Sequence, residues 1–65
     1  MSPDQVNRLK LYPIKDAMVM LSLGRTSIYE QIRSGRLRSV KEGRRRLIPA
    51  SAITDYIALL EREAA

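Results

Sequence analysis

Fifteen residues in the middle of the chain leave few folds open: Leu21-Ser-Leu-Gly-Arg-Thr-Ser-Ile-Tyr-Glu-Gln-Ile-Arg-Ser-Gly35. The stretch reads as the end of one helix, a turn of about three residues, and a second short helix stopped by Gly35. Gly24 stands at the N-cap of that second helix, a place where Gly is tolerated. Ile28 and Ile32 are four residues apart and give the helix one apolar face. At about 100° per residue, Thr26, Glu30 and Arg33 fall on the opposite face, with Ser27 and Tyr29 at its flanks. Two helices joined by a tight turn, the second with a compact polar face, follow the plan of a helix-turn-helix.

The charge that follows this stretch strengthens the reading. Between Arg33 and Arg46 lie seven basic residues and one acid, Glu42, so this segment carries +6 of a net charge of +5 and the rest of the chain carries −1. Charge confined to one segment suits a polyanion, nucleic acid before an anionic membrane. A membrane-surface helix needs its charges beside a helical apolar stripe, and Gly35 and Gly43 make this segment a poor helix.

Sixty-five residues make one domain with a small core. The absence of Cys and His excludes disulfides, structural zinc and the usual metal cages, so no cofactor or metal is expected. Phe and Trp are absent too, which leaves the core to aliphatic residues and three Tyr. No apolar run approaches the roughly 18 residues of a membrane span and no signal-peptide pattern opens the chain, so the expected place is the cytoplasm. Enzymatic activity is not expected: the seven acids are scattered, and no glycine-rich phosphate loop occurs.

Along the chain, residues 1–7 have little to bury and are expected to be flexible. Arg8 to Ile14 alternates in polarity and predicts a short strand that Pro13 ends. Ile14, Ala17, Met18 and Leu21 form a helical stripe, which places a first helix from Lys15 to Met20 or Leu21. Val19 and Met20 fall off that stripe. Burial against the C-terminal helix is expected, an exposed patch for a partner being the alternative. Glu42-Gly43 is expected to turn a hairpin with strands Leu37–Lys41 and Arg44–Ile48. A two-residue loop there pairs Val40 with Arg45, and a three-residue loop shifts the register by one. Pro49 starts a third helix. Its apolar stripe is Ile53, Tyr56, Ile57 and Leu60, broadened by Leu59, and it runs to about Arg62, leaving 63–65 frayed. The fold class is mainly α with a small β-hairpin: strand, helix, turn, helix, hairpin wing, helix, or a winged helix-turn-helix domain over residues 8–62.

The stretch Leu21–Gly35, followed by Leu37, Gly43-Arg-Arg-Arg-Leu-Ile-Pro49 and Ser51-Ala-Ile53, resembles the excisionase family of DNA-binding domains. These are MerR-like winged helices of phage excisionases and small prophage regulators, and the resemblance spans roughly Leu11 to Leu60. It implies that the second helix enters the major groove while the wing touches the adjacent minor groove or its phosphates. Carried over by position, Arg25, Thr26, Ser27, Tyr29 and Arg33 contact DNA from the helix, and Lys41, Arg44, Arg45 and Arg46 from the wing. Two positions depart from the pattern. Ser22 stands where Gly is common, and Gly24 where Ser or Thr often caps, which implies a looser turn than usual.

The chemistry of these residue types agrees with such roles. Arg bridges guanine O6 and N7, and Ser or Thr hydroxyls reach bases or phosphates. Arginines at a hairpin tip suit a narrow, electronegative minor groove. Glu30 is expected to pair with Arg33 at i,i+3. Tyr29 either packs against the wing and offers its hydroxyl to a phosphate or is purely structural. The expected function is an excisionase that binds direct repeats as several copies, bends the double-stranded DNA and assists an integrase. Alternatives are a small prophage transcriptional regulator and, ranked below it, a protein-interaction module using Val19, Met20 and Leu59.

Overall fold

A computed structural model describes residues 10–65. The flexible stretch expected at 1–7 lies outside the described residues, as do Arg8 and Leu9 of the expected first strand. The described elements are β1 (Leu11–Pro13), α1 (Ile14–Leu21), α2 (Arg25–Arg33), β2 (Val40–Glu42), β3 (Arg45–Pro49) and α3 (Ala50–Ala64). The strands form one antiparallel sheet in the order β1-β3-β2. The winged helix-turn-helix architecture expected from the sequence is therefore present, with the wing extended to three strands by β1.

Proline organises both strand-to-helix passages. Pro13 and Pro49 each sit at the end of a strand with φ near −60° and extended ψ (−61°, 160° and −63°, 144°), and each is the N-cap of the following helix. The ring fixes a φ that suits both conformations, and the missing N–H costs nothing at a helix start. The two strands that end this way pair with one another, Leu11 opposite Pro49, Tyr12 opposite Ile48 and Pro13 opposite Leu47. The Ala50 amide then donates to the Lys10 carbonyl at 2.9 Å, tying the start of α3 to β1.

The turn between α1 and α2 is closed rather than loose. The Leu23 amide donates to the Met18 carbonyl (3.0 Å) and the Ser22 amide to Val19 (3.3 Å). That pair of bonds is a Schellman motif, with Ser22 in the left-handed region at φ 56°, ψ 41°. Met18 and Leu23 both pack against the core, supplying the apolar contact that accompanies the motif. The expectation drawn from the two departures thus fails because hydrogen bonding and packing hold Ser22 in a conformation that Gly adopts more easily. The end of α2 repeats the motif with Gly35 at φ 84°, where the Gly35 amide bonds to Ile32 and the Arg36 amide to Gln31.

The core is one apolar cluster of Ile14, Ala17, Ile28, Leu37, Ile48, Ala52, Ile53 and Tyr56, rimmed by Tyr12, Met18, Leu21, Leu23 and Ile32. Ile28, Leu37 and Ile48 are its largest fully enclosed side chains. Truncating one of them to Ala costs about 2–5 kcal/mol, a large share of the stability a domain of this size has. Leu47 and Ile48, neighbours in β3, are both buried although they point to opposite faces, and Ile48 lies in the core cluster with residues of α1 and α3.

Three packing expectations are corrected here. Val19 and Met20 are 80% and 46% exposed, not buried, because α1 packs chiefly on α2 and the sheet rather than on α3. The buried stripe of α3 is Ala52, Ile53 and Tyr56, while Ile57 and Leu60 are exposed. The hairpin turn falls at Gly43-Arg44, one residue later than expected, and pairs Val40 with Leu47, Lys41 with Arg46 and Glu42 with Arg45. Gly43 has φ 60° and stands at the first central position, the place a type II′ turn gives to Gly. With the turn there, β2 shortens to Val40–Glu42 and Leu37 leaves the sheet for the core.

Helix α3 runs to Ala64, past the stop expected near Arg62. The Arg36 guanidinium donates two bonds to the Glu63 carboxylate (2.7 and 2.6 Å), and its Nε donates to Gln31 Oε1 at 2.9 Å. One side chain thereby links the end of α2 to the last turn of α3. The hydrogen bond from Arg36 holds the Glu63 carboxyl below its ordinary value, with partial desolvation opposing it, and the same bond raises the Arg36 guanidinium.

Two stability measurements check these contacts. Ser22→Gly removes left-handed strain at an added chain-entropy cost, a net gain of about 0.5–1 kcal/mol and a Tm rise of about 2–8 °C. An unchanged or lower Tm would contradict the strain argument. Glu63 has a lowered folded pKa, so its pairing stabilises fully above the ordinary value of 4.5 and is lost as pH falls through the folded value. Wild type is therefore expected to melt above Glu63→Gln at pH 7, with the gap closing in acid below the ordinary value. Parallel Tm curves over that range would show that the pair contributes nothing.

Candidate nucleic-acid interface

The chemistry of α2 divides by face. Ile28 is fully buried and Ile32 half-buried, and these two set the inward side. Arg25, Thr26, Tyr29, Glu30 and Arg33 are exposed on the outward side. Their spacing of i, i+1, i+4, i+5 and i+8 makes one continuous strip along the helix. Ser27 departs from the other expected contact residues: it is half-buried, four residues before the half-buried Gln31. Gly24 caps the helix through its backbone, the Ile28 amide donating to the Gly24 carbonyl at 3.0 Å, with no side chain over the free amides of the first turn. The exposed positive end of the helix thus lies open beside Arg25 and Thr26, a setting that favours an anion.

The wing places its cations on two levels. Gly43 and Arg44 form the tip, Arg45 flanks it, Lys41 lies one step back opposite Arg46, and these four are exposed. Arg46 stands farther back and is half-buried, its Nη1 donating to Ser39 Oγ at 2.8 Å. A cleft of about 380 Å³ separates wing from helix and is lined by Tyr29, Ile32, Arg33 and Arg46. The structure therefore brings together the far end of the helix strip and the base of the wing. Arg25 and Thr26 lie at the other end of α2, apart from this cleft.

The basic segment is less uniform than its sequence. Arg36 is committed to Glu63, and Arg38 donates to Asp55 at 2.7 Å. Both acids sit on α3, so two of the seven cations are matched within the fold. Among the described residues, the other five, Arg33, Lys41, Arg44, Arg45 and Arg46, have no carboxylate within ion-pair distance. The expected Glu30–Arg33 pair does not form; both side chains are exposed, and Arg33 borders the cleft instead. An exposed i,i+3 pair is worth only a few tenths of a kcal/mol, too little to hold two long side chains together. Sequence reasoning singled out neither Gln31 and Ser39, which hold Arg36 and Arg46, nor Asp55 and Glu63, which draw Arg38 and Arg36 away. The signal available for the acids was their spacing on the third helix, eight residues apart, opposite a basic strand of unknown register.

The helix-turn-helix domain family matches residues 11–58, which covers every described strand and all but the last turns of α3. A probable excisionase of Saccharopolyspora erythraea is 46% identical over 50 residues, 77% of this chain and 51% of that protein. An excisionase of Streptomyces ambofaciens is 35% identical over 48 residues, 74% of this chain and 77% of its own. The chain spans about half the length of the first relative. No solved structure matches the chain.

Proposed function

The chain belongs to the excisionase-type helix-turn-helix family, and from that premise we propose that it binds and bends DNA as an excisionase. In this reading α2 lies in the major groove and the β2–β3 wing grips the backbone or the minor groove beside it. Arg25 and Thr26, at the open N-terminal end of α2, read base edges. Lys41, Arg44 and Arg45 supply sequence-independent attraction. The reading gives this chain no chemical step of its own: strand cutting and joining belong to an integrase that it helps to assemble, in the cytoplasm of a bacterial host. Among the described residues no helix is long and apolar enough to cross a membrane. The observation that carries the proposal is the distribution of ion pairs, with Arg36 and Arg38 matched to Glu63 and Asp55 of α3 while the helix strip and wing keep unmatched cations.

Specificity in this reading comes from copies side by side. One module of this size buries about 600–1,000 Å² on DNA, modest for unique targeting in a genome. Adjacent copies share the elastic cost of a bend, about 1–6 kcal/mol over a short site. The partners are therefore double-stranded DNA carrying direct repeats, further copies of the chain, and an integrase.

Three outcomes check the proposal. With about five to six phosphates neutralised, log K against log salt has a slope near −5; a slope between zero and −1 would refute nucleic-acid binding. Thr26→Ala relaxes sequence preference at a cost of about 1–3 kcal/mol, whereas Arg44→Ala with Arg45→Ala weakens binding to all sequences and flattens the salt slope. Reversed effects would reverse the division of labour. Gel shifts on one, two and three direct repeats, with sedimentation of the free protein, should show a monomer that fills repeats cooperatively. A stable free dimer taking an inverted repeat in one step would favour a transcriptional regulator instead.

A further inference from the structure

The cleft between α2 and the wing is lined by two arginines, Arg33 and Arg46, that belong to different elements. No carboxylate lies within ion-pair distance of either among the described residues. Two like charges facing one concavity repel each other, and an anion between them relieves that repulsion. Arg46 is not a loose surface cation. Half-buried and hydrogen-bonded to Ser39 at 2.8 Å, it keeps part of its donor fork for a ligand in a fixed direction. The other two lining residues have a different character: Ile32 is apolar, and Tyr29 offers a ring and a hydroxyl. A cleft of about 380 Å³ with two cations and an apolar wall is too large and too apolar for a bare inorganic ion. Its chemistry fits a phosphodiester with the sugar attached to it.

We propose that this cleft seats one backbone phosphate of the bound DNA, clamped between Arg33 of the helix and Arg46 of the wing, with Tyr29 and Ile32 against the adjoining deoxyribose. The inference rests on the DNA-binding reading above and adds two roles to it. Arg33 is a phosphate ligand, and Arg46 acts at the root of the wing. A phosphate held by both elements fixes the depth and register of α2, because the two ends of the clamp are rigidly joined through the core. Arg44 and Arg45, at and beside the hairpin tip, do not line this cleft. They contribute charge without fixing register.

The test uses a duplex recovered by in vitro selection with the wild-type chain. Arg33→Ala and Arg46→Gln are expected to weaken binding by roughly tenfold or more each, as loss of a charged hydrogen bond does. Each should lower the salt slope by about 1. Because both side chains hold the same phosphate, the double variant should lose little more slope than either single variant. Selection repeated with Arg33→Ala should return the same consensus sequence. A methylphosphonate placed at the clamped position should weaken wild type and leave the double variant unaffected. Arg33 is exposed and unpaired among the described residues, so its replacement leaves the fold intact, which a thermal melt verifies. A changed consensus with Arg33→Ala, additive slope losses, or the absence of any shared sensitive phosphate would overturn the inference while leaving DNA binding in place. Failure of the wild-type chain to select any duplex would overturn the DNA-binding reading and the inference together.

Discussion

The enclosure of Ile28, Leu37 and Ile48 in one apolar cluster is the constraint on which the rest of this molecule depends. Each belongs to a different part: the second helix, the link that follows it, and the central strand of the sheet. Helix and wing keep a defined separation only because their inward side chains share that cluster. The chain has no disulfide and no zinc ligand set to do this instead. Strand β3 carries most of the burden. It pairs on both edges, buries residues on both faces, passes directly into α3 through Pro49, and presents Arg45 and Arg46 at its other end.

Electrostatics acts as a second layer on this frame. Arg36 and Arg38 follow the second helix in sequence but are turned toward α3 by Glu63 and Asp55. These exposed pairs add little stability each, yet they decide direction. The remaining cations are left on the helix strip and the wing, so the field that steers a polyanion is narrower than the run of basic residues suggests. Arg36 also bonds to Gln31, which makes it a strut between the end of α2 and the last turn of α3 rather than a docking group.

Much of the architecture was legible because local signals agreed. Ile14 and Ala17 in α1, and Ile28 and Ile32 in α2, stand at helical spacing, Gly35 takes the left-handed position, and Pro13 and Pro49 mark strand-to-helix passages. Long-range choices were not legible in the same way. The hairpin offered Gly43 as a turn residue, but whether Gly fills the first or second central position depends on the turn type, and hence on which strand residues the core accepts. Val19 and Met20 looked like core because apolar residues on a short helix usually are, and their exposure follows from where α3 packs. Ser22 shows the reverse case: a residue with poor left-handed propensity is held there by two hydrogen bonds and the packing of Met18 and Leu23. Among site residues, the exposed strip of α2 could be read from periodicity. The half-burial of Ser27 and the bond from Arg46 to Ser39 required the tertiary structure.

The central claim is that one surface, made of the outward strip of α2 and the wing, receives DNA while the outward sides of α1 and α3 do not. Amide chemical-shift mapping during titration with a short duplex tests it residue by residue. The account predicts changes concentrated between Gly24 and Arg33 and between Ser39 and Arg46, with Val19, Ile57 and Leu60 unmoved. Changes centred on the outward faces of α1 or α3, with the wing silent, would contradict it.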